Sequence, residues 1–294
     1  MLTVEKVWRP KDLYDAWSIH QTYKDASCFV SGGTWLRTQW KGGLRHISPH
    51  LISLDQIHDM DKIEEKNTSD RSELLIGSMT KLADCIKHPL LNKYGSAIVE
   101  ACKRIAAPSI RNQGTIGGNI LTKTGDSLPA LLIHDATLTW FNGKEFENES
   151  LEVYLSNAKY KEVNGVYHPK ILVSIAIPLI KNKPQNRFSF YQKVGKREAF
   201  TPSIITIAGT GNFAANKQIG TCLLAAGGGT SVPFRLTSTE LALENNDLTK
   251  DFLQHIQSVI YRELQREDST ISEYKKKVTA NLIVYHLFSS LKNL

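Results

Sequence analysis

The stretch over residues 101–136, ACKRIAAPSIRNQGTIGGNILTKTGDSLPALLIHDA, constrains the chain most, because it joins a glycine pair to a continuous apolar run. At its centre stand Thr115, Ile116, Gly117, Gly118 and Asn119. Two adjacent residues without Cβ free four backbone dihedrals, so that amide N–H groups can lie against an anion such as a diphosphate. Arg111 and Asn112 precede the pair, and Thr122, Thr124 and Asp126 follow it. That density of donors and acceptors suits a ribityl chain and the edge of a heterocycle. The apolar residues 128–133 then anchor the loop in a core. A lone glycine pair flanked by polar residues is usually just a turn; a second such loop upstream strengthens the binding reading.

That second loop follows a short apolar strand over 28–31, which runs into Gly32, Gly33 and Thr34 and continues through 35–40 to Gly42 and Gly43. A strand that enters a glycine pair and leaves through a helix start brings backbone amides to phosphate oxygens. The GxGxxG spacing of the Rossmann fold is missing. Around the two loops, residues 4–8, 51–54, 74–77, 137–141 and 171–177 read as strands by their apolar and β-branched content. Residues 10–21 read as a helix with Leu13, Ala16, Trp17 and His20 on one face. Residues 64–73 read as a polar loop, and Thr80 as the cap of a helix that opens over 80–84. The segment PLIKNKPQNR, 178–187, has two prolines and no apolar period, which places a domain boundary there. Beyond it, Phe188, Phe190 and Gln192 alternate with Ser189, Tyr191 and Lys193, and 204–209 and 223–226 continue an antiparallel meander. From residue 238 onward the pattern is helical.

Composition narrows the function classes. With 294 residues, 41% hydrophobic and 22% charged, the chain is long enough for two domains with separate cores. No stretch approaches the roughly 20 apolar residues that span a bilayer, and the first residues carry scattered charges without an apolar secretory core, so a cytoplasmic location is expected. Cys28, Cys85, Cys102 and Cys222 lie far apart, with no metal-ligand spacing, which argues against zinc, a disulfide framework, or an iron-sulfur cluster held by this chain alone. The net charge of +7 is dispersed, and the longest basic run, Lys275, Lys276 and Lys277, reads as a solvated helix face rather than a nucleic-acid site. Such a surface suits an anionic dinucleotide or an acidic partner subunit.

Several motifs together carry a resemblance. Residues 29–34 (FVSGGT), 76–80 (IGSMT), Ser109, Ile110, Arg111 and Asn112 leading into 115–120 (TIGGNI), and Asp126 with 129–132 (PALL) are similar to the FAD-binding subunit of the molybdenum hydroxylases. In the C-terminal half, 190–197 (FYQKVGKR), 226–228 (AGG) with Pro233 and Arg235, and 272–275 (SEYK) resemble the second domain of that subunit. The match runs in order over nearly the whole chain. Residues 33–40 and 197–202 resemble the bacterial xanthine dehydrogenase branch of the family.

The resemblance implies an α+β fold of the vanillyl-alcohol-oxidase type. A FAD-binding domain over 1–180, with subdomains 1–58 and 59–180, would be followed by a C-terminal domain over 186–294 made of three antiparallel strands and a helical bundle. Phe29, Val30, Ser31, Gly32, Gly33, Thr34, Trp35 and Leu36 would form the first loop around the diphosphate of a noncovalent FAD. Ile105, Ala106, Ile110, Thr115, Ile116, Gly118 and Asn119 would line the second. Thr122 and Asp126 would bond the ribityl chain or ring, Leu172 would pack on the cofactor, and Lys193 would reach the flavin. A cation at the flavin's N1 and C2=O edge favours reduction, because negative charge develops there. From the sequence pattern alone, Lys193 is also a solvent-facing strand residue and Asp126 also a helix N-cap.

The implied enzyme passes electrons from a molybdenum cofactor on a large subunit, through a two-iron two-sulfur small subunit, to FAD in this chain and on to NAD, as a dimer of heterotrimers. A purine-like substrate would be oxidised at the molybdenum, and neither nucleic acid nor membrane would be a partner. No Ser/His/Asp set or carboxylate pair marks a catalytic site, and His46, His134 and His168 read as ordinary core or surface residues. Two other classes stay open. A self-contained flavin oxidase would be expected to carry a covalently attaching histidine in the first loop, where Thr34 stands; a flavin-binding module would bind without electron traffic.

Overall fold

Short apolar strands near the N-terminus pair in parallel, which obliges the chain to cross over between them. In the computed structural model, which describes residues 4–68, 71–157, 170–179, 186–196 and 202–293, β1 (Lys6–Trp8), β2 (Ser27–Val30) and β3 (His50–Ser53) form a sheet of order β1-β3-β2 with both pairs parallel. The crossovers are α1 (Leu13–Tyr23) and α2 (Thr34–Lys41). Asp12 caps α1, its carboxylate accepting from the Asp15 amide at 2.8 Å. Ala16, Ile52, Leu54, Ile57 and Met60 form the core of this unit, with Trp17 and Phe29 packed against it.

The second sheet holds β4 (Ile63–Asn67), β5 (Ser72–Gly77), β6 (Thr137–Phe141), β7 (Phe146–Ser150) and β8 (Ile171–Pro178) in the antiparallel order β4-β5-β8-β6-β7. The polar loop expected over 64–73 is instead the β4–β5 hairpin, with Glu64 opposite Leu75 and Lys66 opposite Glu73. β4 is an edge strand exposed along most of its length, so its charges are the protection an edge needs rather than the mark of a loop. Between β5 and β6 lie α3 (Leu82–Lys87), α4 (Pro89–Tyr94), α5 (Ser96–Arg104), α6 (Pro108–Arg111), α7 (Ile116–Leu121) and α8 (Leu128–Leu132); α9 (Leu151–Ser156) follows β7. Thr80 is not the cap expected of it. α3 opens at Leu82 with Lys81 in the cap position, and the Thr80 hydroxyl is buried without a hydrogen-bond partner among the described residues. α5 buries Ala97, Ile98, Val99, Ala101 and Cys102 in a central cluster shared with Leu74, Ile76, Leu131 and Ile175.

A third sheet is a meander of β9 (Arg187–Gly195), β10 (Ser203–Phe213), β11 (Ile219–Gly228) and β12 (Ser231–Arg235), followed by α10 (Thr237–Leu243), α11 (Lys250–Glu267) and α12 (Glu273–Lys292). The resemblance implied three strands here; the fourth, β12, has five residues at the sheet edge and contains Pro233, a place where a strand tolerates proline but gives little sequence signal. Phe188 and Phe190 face a core built with Ile207, Leu224, Ile256 and Ile283. The opposite face offers Tyr191, Ala208 and Ala225 to the central cluster, so both faces of this sheet are covered. The inter-domain segment 180–185, the motif residues 197–201 and His168 lie outside the described residues. No helix among the described residues is long and apolar enough to cross a membrane.

One ion network fastens the third sheet to the rest. Arg235 donates to both oxygens of Glu240 at 2.7 Å and to Asp135 Oδ1 at 2.8 Å, while Glu240 Oε1 also accepts from the Leu224 amide at 2.7 Å. Burial opposes the Arg235 charge, but the hydrogen bonds and charge of Glu240 outweigh it and hold its pKa above the ordinary value. Removing Glu240 leaves the Nε and Nη2 of a buried guanidinium and a buried amide without their acceptor. Glu240→Ala is therefore expected to cost about 3–5 kcal/mol in urea denaturation. Asp135→Ala, at a largely exposed carboxylate, should cost less than about 1 kcal/mol; equal effects would contradict this division of the network.

Candidate functional site

The first glycine loop turns β2 into α2. Gly33 has φ 66°, in the left-handed region that favours glycine, and serves as the N-cap of the eight-residue α2. Its carbonyl accepts from the Arg37 amide at 2.9 Å, leaving the first-turn amides of Thr34, Trp35 and Leu36 without intrahelical acceptors. A Cβ at Gly32 would collide with the Gln113 carbonyl and stand 2.9 Å from Gly114 Cα, so the first loop lies directly on the approach to the second.

The second loop is built differently from its expected form. Thr115 caps α7, its Oγ1 accepting from the Gly118 amide at 3.0 Å, and the Gly117 amide donates to Ser78 O at 2.9 Å. Both glycines lie within α7 and neither adopts a left-handed φ, so freedom of the dihedrals is not what they supply. What they supply is close approach. A Cβ at Gly117 would stand 2.6 Å from Ser78 Cβ and from Ser78 O; one at Gly118 would meet Ser31 Oγ at 2.9 Å and Thr115 Oγ1 at 3.1 Å. Ser78 in turn donates to Leu172 O at 2.6 Å, which ties β5, β8 and α7 together beneath the two loops.

Farther along, Asn119 Oδ1 accepts from the Ser127 hydroxyl at 2.6 Å and amide at 3.2 Å, and Thr122 Oγ1 donates to Asn119 O at 2.7 Å. Asp126 is not the cap of α8. Ser127 holds that position without a side-chain bond, and Asp126 Oδ2 pairs with Lys193 Nζ at 2.8 Å. The Lys193 side chain is 3% exposed, which overturns its reading as a solvent-facing residue. Lys193 also donates to Arg104 O at 3.0 Å, and Tyr191 donates to Asp126 O at 2.9 Å. Burial, then the Asp126 charge, pushes the Tyr191 phenol well above its ordinary pKa, so it remains a donor. Arg111 Nη1 donates to the carbonyls of Ile105 and Ala106, at 3.0 and 2.5 Å, and so braces Ala106, a non-glycine residue at φ 43°.

The residues singled out from sequence thus fall into two groups. Phe29, Val30, Ser31, Gly32, Gly33, Thr34, Leu36, Gly118, Asn119, Thr122 and Asp126 are partly exposed, with Trp35 and Ile110 more so. Thr115 and the side chains of Ile105, Ile116 and Leu172 are buried, the last three within the central apolar cluster, and Lys193 comes in from the third sheet. Ser78, Arg104 and Tyr191 were not chosen from sequence as site residues. Ser78 sat inside the 76–80 motif, and Tyr191 shares a strand face with Lys193, which were the available signals. Among the described residues no cluster of His, Cys, Asp or Glu is arranged to hold a metal ion.

Residues 3–180 match the family described as the FAD binding domain in molybdopterin dehydrogenase. The nicotinate dehydrogenase FAD-subunit of Eubacterium barkeri is 24% identical over 253 residues, covering 83% of this chain and 81% of that protein. A putative xanthine dehydrogenase FAD-binding subunit of Escherichia coli is 25% identical over 256 residues, covering 82% and 80% respectively. Among solved structures, a chain of the carbon monoxide dehydrogenase of Hydrogenophaga pseudoflava superposes with a TM-score of 0.82 at 19% identity, covering 99% of this chain and 98% of that one.

The donors around the two loops fit a FAD. The open amides of α2, the Ser31 hydroxyl beside a bare Gly118 and the half-exposed Thr122 hydroxyl suit a diphosphate with its polyol, and Lys193 suits a heterocycle edge. The glycines predict a split outcome. Gly117→Ala drives a Cβ against Ser78 backbone and is expected to destabilise the chain by about 1–3 kcal/mol. Gly118→Val meets the hydroxyls of Ser31 and of the cap Thr115 rather than backbone, so the flavin-free chain should stay folded, with at most the loss of one cap bond, while bound FAD is lost. Wild-type FAD content in the Gly118 variant would contradict the placement of the cofactor.

Proposed function

Because this chain belongs to the family of FAD-binding domains of molybdopterin dehydrogenases, we propose that it is the flavin subunit of a xanthine dehydrogenase-like molybdenum hydroxylase and performs only its last redox step. The observation that carries the reading is the buried Lys193, held at 2.8 Å from Asp126 where the third sheet meets the second glycine loop. In relatives of similar length the words "FAD-subunit" and "FAD-binding subunit" support an assembly in which other chains hold the remaining cofactors. On this reading a large subunit holds the molybdenum cofactor, a small subunit the two-iron two-sulfur clusters, and the cytoplasmic complex is a dimer of heterotrimers. Residues 1–180, as subdomains 1–58 and 59–180, form the FAD-binding domain, and 186–294 the C-terminal one.

FAD, when bound noncovalently, supplies the chemistry that joins one-electron donors to a two-electron acceptor, here NAD. This chain's own residues bind and bias it. Phe29 to Leu36 would form the first loop around the diphosphate, and Ile105, Ala106, Ile110, Thr115, Ile116, Gly118 and Asn119 would line the second. Thr122 and Asp126 would bond the ribityl chain or ring, and Leu172 would pack on the cofactor. Lys193 would favour the negative charge of the reduced flavin, and Asp126 keeps the ammonium fixed in a site that would otherwise oppose its burial.

The isolated, FAD-loaded chain provides the test. Acid precipitation should release all of its flavin into the supernatant, NADH should bleach the flavin band, and xanthine should not be oxidised. Lys193→Ala should lower the flavin midpoint potential, since the cation that favours reduction is gone. Flavin retained in the acid pellet, xanthine oxidation by this chain alone, or an unshifted potential in the variant would each overturn the corresponding part of the reading.

A further inference from the structure

Cross-strand partners in an antiparallel sheet point to the same face, so a residue's role can be read from the row it stands in. In the third sheet, Tyr191, Ala208 and Ala225 form one such row, and Lys193, Thr206 and Gly227 form another on the same face, since successive rows of one face lie two residues apart. The first row belongs to the central apolar cluster, whereas Phe190, Ile207 and Ala226, one residue out of phase, belong to the helix-side core. Thr206 therefore shares with Lys193 the face that packs against α5 and α8. It is 1% exposed.

Its hydroxyl has no hydrogen-bond partner among the described residues. A β-branched residue suits the middle of a strand, but valine would fill that space without burying a polar group. An unpaired buried hydroxyl is destabilising and calls for a reason. Next to it Gly227 has no Cβ; one placed there would stand 2.7 Å from Pro233 and 3.2 Å from Thr206 Oγ1. On the other side of Lys193, Arg104 accepts the ammonium at its carbonyl, and Arg104 Nε is also buried without a partner among the described residues. Two residues next to Lys193, its cross-strand partner Thr206 and the Arg104 whose carbonyl it meets, thus each carry an unspent polar atom. Arg104 Nε and Lys193 Nζ can only donate, and the Thr206 hydroxyl can donate as well. A ligand that satisfies this corner must bring acceptors.

We propose that Thr206 is a flavin-binding residue, its hydroxyl donating, beside Lys193, to the polar carbonyl-bearing edge of the bound ring. The inference rests on the flavin-subunit reading and adds to it a second contact from the third sheet. It explains why a hydroxyl stands unpaired inside β10: its partner arrives with the cofactor. The hydroxyl then orients the ring, while Lys193 supplies the charge.

The experiment uses the full chain as wild type, Thr206→Val and Thr206→Ser, stripped of flavin and titrated with FAD. Valine keeps the shape and removes the donor. Thr206→Val should bind FAD on the order of tenfold more weakly, the equivalent of one hydrogen bond, and show an altered flavin absorption band. The thermal midpoint of its flavin-free form should be unchanged or raised, because an unsatisfied group has gone. Thr206→Ser should restore affinity and spectrum. Wild-type affinity and spectrum in Thr206→Val would overturn the proposal, as would a lowered flavin-free midpoint in Thr206→Val that Thr206→Ser restores, which would make the hydroxyl structural. Failure of the wild-type chain to take up FAD would instead remove the flavin-subunit reading, and this inference with it.

Discussion

Helix α7 lies against the end of β5 so closely that no side chain fits between them at Gly117, and the geometry of the site follows from that contact. The Gly117 amide reaches the Ser78 carbonyl at 2.9 Å, and the Ser78 hydroxyl reaches Leu172 O at 2.6 Å, so one serine fastens α7 to two strands of the central sheet. With α7 fixed there, Gly118 faces Ser31 and the first loop is drawn onto the second at Gly32 and Gln113. Loops from two different sheets are thereby held to one geometry by packing rather than by their own turn preferences. A site that must be organised before its ligand arrives is better placed on such rigid elements than on free loops.

The second constraint is electrostatic and joins the third sheet to this assembly. A buried ammonium is unfavourable without a partner, and Lys193 has a carboxylate at 2.8 Å and a carbonyl at 3.0 Å. Buried ion pairs contribute little net stability, because desolvation offsets most of their attraction. The pair is better understood as fixing position: it holds a cation at the junction of the sheet and the second loop. Tyr191 adds a neutral donor to the Asp126 carbonyl and the Arg235 network adds a separate tie, so the junction does not depend on Lys193 alone.

The sequence made the two loops legible but not the reason for each glycine. The dihedral freedom expected of Gly117 and Gly118 belongs instead to Gly33, whose φ is left-handed. The need at Gly117 was not legible, since what excludes a side chain there is Ser78, distant in sequence and brought near only by the fold. The same limit hid the partners of Lys193. Alternation along β9 correctly grouped it with Tyr191, yet a period of two cannot tell a solvated face from one covered by another unit. Strands β4 and β12 were lost for a different reason: edge strands carry charges and proline that imitate loops. The family motifs supplied the overall architecture, where pattern and composition alone gave a domain boundary near 178–187 and a series of helices and strands without their arrangement.

The central claim is that one FAD is gripped from both sides, by the glycine loops and by the third sheet. Amide hydrogen exchange with and without FAD tests it most directly, because protection reports on each segment separately. The account predicts that FAD slows exchange at residues 31–36, at 118–126 and, in the same titration, at 191–193 and 205–207. Protection confined to the two loops, with the third sheet unchanged, would contradict it.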